Sequence, residues 1–512
     1  MLQLHLPAVN KIRLISTAVL SCCLFLNIAF SQEKKVANDE QFRPLIHFSP
    51  AAHWINDPNG MVYYNGVYHL FFQYHPYSSV WGPMHWGHAT SKDLVHWKEQ
   101  PIAIYPDSIG TIFSGSTVVD KNNTSGFGKN QQPPLVAVFT QHNEEAIKKG
   151  RNDFQNQSLA YSNDGGKTWT KYSGNPVLRS PGIRDFRDPK VIWHEVTKKW
   201  IMALAVVDKI YFYSSPDLKS WTKESDFSEG IGAHGGVWEC PDLFPLSYKG
   251  KTYWVLIVNI NPGGPNSGSA TQYFIGDFDG KKFTPVNTKI KWMDYGPDEY
   301  AGVTWSNTGS RRLFMGWMSN WDYANVVPTT TWRNAMTVAR ELSIKEAGQE
   351  LYVASTPVAE LSKTATVVTT WNNMLLKQKK SLLNAKQNLI LPCSINMETV
   401  EDDFVIRLSN TKGEEVLIGY SKEQKQYFID RTKAGISNFH QSFATKHTAP
   451  RFANSSRQTV SILIDVSSIE LFADDGLTVM TSICFPAQPY NQIELSPAKE
   501  LHVKRMEMVR LK

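Results

Sequence analysis

The chain has 512 residues, enough for two or three domains that each bury a core. Its formal charge of +6 falls to +4 without Lys11 and Arg13 of the leader, and no Lys/Arg block stands out, which excludes a nucleic-acid footprint. Aromatic residues are many (Trp 16, Tyr 20, Phe 25) and only 20% of residues are charged, which suits a β-rich protein that offers flat apolar rings to a partner such as a sugar, although core packing claims most rings in any protein.

At the N-terminus, Lys11 and Arg13 precede the apolar run "LISTAVLSCCLFLNIAF", and Ala29 and Ser31 hold the small-residue positions of a cleavage site before Gln32. Residues 1–31 read as a signal peptide that exports the chain to a periplasm, a cell surface or the medium. "VLSC" leaves open a lipoprotein with Cys22 as its lipidated first residue. No later stretch approaches the ~20 apolar residues of a membrane span. Cys240, Cys393 and Cys484 follow the leader; they form neither a disulfide scaffold nor a C-x-x-C metal site, and Cys393 and Cys484 pair only if their strands meet.

An element ending in an aromatic residue then recurs: "SKDLVHW" at 91–97, "SNDGGKTW" at 162–169, "SPDLKSW" at 215–221 and "DFDGKKF" at 277–283. Each has an Asp-initiated turn and follows alternating segments such as "KIYFYSS", the pattern of short strands joined by turns. Repeats of this kind predict a β-propeller over 41–345, with five blades counted from about residue 45 to 345; a sandwich of hairpins is the alternative. Beyond 345 the texture changes, and Trp371 is the one Trp after Trp332. Residues 346–366 read as a linker, and 367–512, with runs such as "DDFVIRLSN" and "QTVSILIDVSSIELFAD", as a β-sandwich of half-buried antiparallel strands. The expected fold class is all-β.

Three acids share one setting. Asp57 in "WINDPNG", Asp188 in "RDFRDPKVIW" and Glu239 in "GGVWECPDLF" each lie beside aromatic residues, near a proline and at the start of an apolar strand, in the first, third and fourth units. A single Asp in Asn-Asp-Pro-Asn-Gly is a turn residue. Three in register are a site. Mg²⁺ or Ca²⁺ sites crowd their acids into one loop, whereas glycoside hydrolysis needs one ionised and one protonated carboxyl group. Glu239, between Trp238 and Cys240, suits the protonated role in a poorly solvated wall, and Asp57, with Asn56 and turn donors around it, suits the ionised one.

"WINDPNG", "FSGS" at 113–116, "FRDPKV", "WECPDLF", "DYGPDEYAGVTW" and "GWMSNWDYANVVPTTTWRNAMTVARELS" together resemble the signatures of glycoside hydrolase family 32, the invertases, inulinases and levanases. The resemblance runs from about residue 47 to 345, and the tail fits the family's C-terminal sandwich. It implies a five-bladed propeller, net retention of configuration, and neither cofactor nor metal. Position by position it makes Asp57 the nucleophile, Glu239 the general acid/base and Asp188 the transition-state stabiliser, with Arg187 keeping Asp188 ionised. A retaining pair stands about 5–5.5 Å apart, so the Asp57 and Glu239 carboxyl groups are expected to face each other at that distance. Asn56, Gln73, Trp81, Ser114 and Arg187 match residues around the bound sugar, and Asp298 matches an acid that meets the leaving group. Trp54 and Trp321 are expected as apolar walls. Cys240 is expected to pack or to tune a pKa, and Glu299 stands where members often have an aromatic residue.

The expected partner is therefore a fructan, levan or inulin, cleaved at terminal fructose, with sucrose as an accessory substrate; oligomeric state is not legible. An endo-acting groove would use the same acids. Two readings of another kind stand beside this one. "SNDGGKTW" fits the Asp-box of sialidase propellers, but the Tyr nucleophile and basic clamp of such enzymes are missing. A non-catalytic fructan binder would not need a proton donor.

Overall fold

The computed structural model describes residues 40–228, 230–363, 365–384 and 387–512; the expected signal peptide and Cys22 lie outside them. Pro44–Lys512 form one compact unit. Five sheets follow one another up to Pro357, and their first strands are His53–Tyr64, Thr111–Val119, Phe186–His194, Val237–Tyr248 and Tyr300–Thr304. These strands touch one another in chain order, and the last returns to the first, so the sheets form a closed ring around an axis. The parallel pairing of Trp332–Arg333 with His53–Trp54 clasps a late segment onto the first sheet.

Apolar clusters fill the spaces between successive sheets. Phe71 and Trp86 of the first sheet meet Phe139 of the second, and Val138 meets Met202 of the third. Phe212 meets Trp238 of the fourth, Ile257 meets Phe314 of the fifth, and Met315 returns to Phe72 of the first. Burying each such side chain contributes about 1.5–3 kcal/mol. The ring is thus sealed by side chains between blades, the packing of a β-propeller.

The four sequence repeats occupy equivalent places. Asp93, Asp164, Asp217 and Asp279 each accept two backbone N–H groups from the residues that follow, in the turn between the third and fourth strands of the first four sheets. An Asp that satisfies its own turn recurs because each sheet needs the same corner.

Two six-stranded sheets around a single apolar core make the C-terminal β-sandwich. The expected linker at 346–366 is corrected: Glu350–Pro357 is a strand paired along its length with Arg340–Ala347, and Ala359–Lys363 is a short helix. "ELYVASTP" is poor in large apolar residues and reads as a connector, yet Val353 and Ala354 are buried in the last sheet. Cys393 and Cys484 are both free thiols.

Propeller and sandwich meet through buried charge. Arg340 of the last propeller sheet donates to Glu470 of the sandwich and to Asp294 (3.0 Å), and His47 bridges Asp465 (2.8 Å) and Glu470 (2.7 Å). Burial alone would lower the His47 pKa, but the two carboxylates raise it to about 9.

Candidate active site

Each of the five inner strands carries an extra residue against its neighbour, and His53–Tyr64 carries a second between Asn59 and Val62. The register slips between Ile55 and Pro58, Ile112 and Gly115, Arg187 and Lys190, Glu239 and Asp242, and Tyr300 and Val303. In three of the five strands a proline lies at the slip, Pro58, Pro189 and Pro241, where the bulge tolerates its missing N–H. This explains why an acid near a proline recurs. It also corrects the reading of Asn-Asp-Pro-Asn-Gly as a turn, because these residues lie inside the strand His53–Tyr64. Asp188 (φ 63°) and Cys240 (φ 40°) take left-handed backbone that non-glycine residues adopt at a cost, as functional sites often show.

The bulges aim Asp57, Ser114, Asp188 and Glu239 into one cavity of about 310 Å³, whose wall also includes Asn56, Gln73, Trp81, Arg187 and Trp321. Further along the inner strands, Lys190 donates to Asp242 (3.0 Å) and to the Thr304 carbonyl (2.7 Å), tying three strands together on the axis beyond the acids.

Both oxygens of Asp57 are held. Asn56 donates to Oδ1 at 2.8 Å, Ser114 donates to Oδ2 at 2.7 Å, and the Cys240 thiol lies 3.4 Å from the same oxygen. Trp54 in turn fixes Asn56 through Nε1 at 2.8 Å. Asp188 accepts the Cys240 backbone N–H at 3.0 Å, while its own N–H donates to Thr140 at 3.0 Å. Burial pushes the Asp188 pKa up to about 7, with Glu239 and Asp57 adding to the shift and Arg187 opposing it. Burial and the same acids push the Cys240 thiol up as well, so it remains a neutral donor and no nucleophile.

Arg187 lies beside Asp188 as expected and also reaches a second acid of the site. Its short contacts go to Asp185 and to Glu239 (3.0 and 3.3 Å), and its nearest approach to Asp188 is 3.8 Å. It holds Glu239 by hydrogen bonds and favours the ionised form of Asp188 by its charge. Tyr300 donates to the other Glu239 oxygen. That tyrosine was not singled out from the sequence, although "DYGPDEYAGVTW" contains it. Asn259 was missed too: it donates to the Cys240 carbonyl at 2.8 Å and accepts from Gly302 N at 3.1 Å, linking two bulges.

Among the expected sugar contacts, Gln73 is buried with its amide nitrogen unpartnered on the cavity wall. Trp321 lines the cavity and stacks on Trp54 with centroids 5.9 Å apart. Trp54 itself is fully buried and supports the wall from behind, which corrects its assignment as a wall. Asp298 is also corrected. It is fully buried outside the cavity, bonded to Tyr323 and to Arg431 of the sandwich at 2.5 Å, because the bulge at Ala301–Gly302 lies beyond it and leaves it facing the second domain. Glu299 is buried as well, near Asp294 and Arg340, and burial pushes its pKa up to about 8.

Carboxyl groups held on bulged inner strands of a propeller, around a sugar-sized cavity, are the kind of arrangement that glycoside hydrolysis uses. Residues 47–355 match the model of the glycosyl hydrolases family 32 N-terminal domain, and residues 357–510 match that of the family's C-terminal domain. The chain is 45% identical over 509 residues to a levanase of Bacillus subtilis (95% of this chain, 73% of the relative). It is 39% identical over 486 residues to the extracellular exo-inulinase inuE of Aspergillus niger (88% and 90%). The crystal structure of exo-inulinase from Aspergillus awamori superposes with a TM-score of 0.86 at 35% identity, covering 93% of this chain and 99% of that one. The β-fructofuranosidase of Schwanniomyces occidentalis complexed with fructosyl-erythritol gives 0.84 at 33% identity, covering 93% and 99%. The chain belongs to glycosyl hydrolases family 32.

Proposed function

We propose that this protein is an exported fructan β-fructosidase that releases terminal β-D-fructosyl residues from levan or inulin, and fructose from sucrose, by double displacement. The observation that carries the reading is the convergence of Asp57, Asp188 and Glu239 on one cavity, in a chain related to levanase and exo-inulinases. At about 310 Å³ the cavity lies at the small end of ligand pockets, which favours a single terminal residue over a long groove. We read the five sheets as five blades and residues 1–31 as the export signal, in keeping with the extracellular relatives.

Asp57 attacks the anomeric carbon, and its three side-chain donors hold the carboxylate in line without a search for geometry. Glu239 gives its proton to the departing oxygen, and the glycosidic bond breaks as the Asp57 ester forms. Glu239 then takes a proton from water, which attacks the same carbon, releases fructose and frees Asp57. Asp188 accepts hydrogen bonds from the fructose hydroxyls, and the unpartnered Gln73 amide donates to the sugar. Arg187 and Tyr300 hold the two oxygens of Glu239.

The test is a time course of products from levan, inulin and sucrose, separated by chain length. Fructose alone from the first minutes is the expected result, and relative rates rank the linkages. Early oligosaccharides overturn terminal cleavage, and the absence of product from all three substrates overturns the hydrolase reading.

A further inference from the structure

Among the described residues, three Phe, Tyr or Trp rings are exposed, Tyr77 at 74%, Tyr105 at 54% and Trp81 at 40%, in a chain with 16 Trp, 20 Tyr and 25 Phe. All three lie on one rim of the propeller. Trp81 stands at the cavity wall, edge-on to Phe113. Tyr77 and Tyr105 both pack edge-on against the His85 ring between them, at 5.8 and 5.6 Å. The segment that begins at Tyr105 runs on to Thr111, which pairs with His142 of the cavity wall. The ridge is therefore linked to the cavity wall through the Tyr77–Trp81 loop on one side and the pairing of Thr111 with His142 on the other.

These rings are held in place. His75 bonds the Val80 carbonyl at 2.8 Å, the Ser78 carbonyl accepts from Trp54 N at 3.0 Å, and Trp81 N donates to Asn325 at 2.9 Å, so the Tyr77–Trp81 loop is tied at three points. Beyond Tyr105, Asp107 accepts from Gln141 (2.8 Å) and Lys171 (2.6 Å), and the Ile109 carbonyl accepts from Asn143 (3.0 Å). Burial lowers the His85 pKa, so a neutral ring separates the two phenols. Rigid rings bind at little conformational cost, and a patch of them in water marks a binding surface.

We infer that the ridge Tyr77–His85–Tyr105 is a second carbohydrate-binding subsite, which holds the body of a polymeric fructan while its terminal residue occupies the cavity beyond Trp81. The inference rests on the fructan reading above. A chain leaving the cavity past Trp81 meets the ridge next, and the apolar faces of its furanose rings fit the phenol faces. Binding there makes recapture of the same polymer intramolecular and raises its effective concentration at the cavity. Sucrose is too short to gain from it.

The experiment compares the native chain with Tyr77→Ala/Tyr105→Ala. It reads kcat/KM on levan, inulin and sucrose, and retardation in native gels cast with levan or inulin. Expected is a rise of about tenfold in KM for at least one polymer and loss of the matching retardation, with sucrose kcat/KM within about twofold of native. Unchanged polymer KM and retardation overturn the subsite, and so does an equal loss on sucrose. If the native chain cleaves no substrate, the hydrolase reading fails by itself, and retardation of native chain against variant still decides the ridge.

Discussion

Asp298 and Arg431, far apart in sequence, form a fully buried ion pair that crosses from propeller to sandwich at 2.5 Å. Tyr323 and the Ile483 N–H complete the shell of Asp298, so it makes no direct contact with a leaving group. Removing one partner strands the other charge, and Asp298→Ala is expected to cost about 3–5 kcal/mol. Thermal melts should show this loss while kcat/KM on sucrose stays near native at a temperature where both proteins are folded. A changed sucrose KM with an unchanged melt would restore the leaving-group role.

The His47 bridge makes interdomain stability depend on pH. Its folded pKa, raised from 6.5 to about 9, means the native state holds a proton that the unfolded state loses. The contribution, at most about 3 kcal/mol, is fully present below 6.5 and disappears as pH rises through about 9. The melting difference between native protein and His47→Gln should be large near pH 6 and shrink towards pH 9.5. A pH-independent difference would rule out a titrating His47.

Asp188 shifts stability in the same direction with pH, over a lower window. Its carboxyl pKa is raised from 3.8 to about 7, so the folded state binds a proton more tightly and loses stability as pH rises across that window. Asp188→Asn mimics the protonated form. It should abolish turnover yet melt higher than native near pH 8, by at most about 4 kcal/mol, with the gain vanishing near pH 4. A gain that is equal at both pH values would show that charge burial is not its source.

Glu239→Ala should lower kcat/KM on sucrose and fructans by about 10²–10⁴-fold, the range for a lost general acid. Fructosides with an activated leaving group need no proton in the first step and should form the fructosyl-enzyme at near-native rates. Equal losses in that step on both substrate types would refute the proton-donor role.

Asp57→Ala removes the atom to which fructose becomes bonded. Turnover should vanish on natural and activated substrates alike, with the circular dichroism spectrum and melt close to native. Residual activity above about 1% of native, with the same anomeric outcome, would contradict covalent catalysis through Asp57.

Local chemistry in the sequence determined much of this protein. The Asp turns of the repeats satisfy themselves within a few residues, and each acid of the trio lies within two residues of a proline at its bulge, so both were legible from short stretches. The tertiary structure decided whatever depends on a distant partner. Trp54 and Trp321 carry the same ring, but packing buries the first behind the second. Asp298 reads as a site acid until Arg431 arrives from the other domain, and Arg187 is drawn to Glu239 more closely than to its own neighbour Asp188. The strand at Glu350–Pro357 exists because Arg340–Ala347 offers it an edge, not because its composition demands one. Burial and partner choice are set by residues that meet only when the ring closes, so a linear reading finds the chemistry but not which side of a wall each group faces.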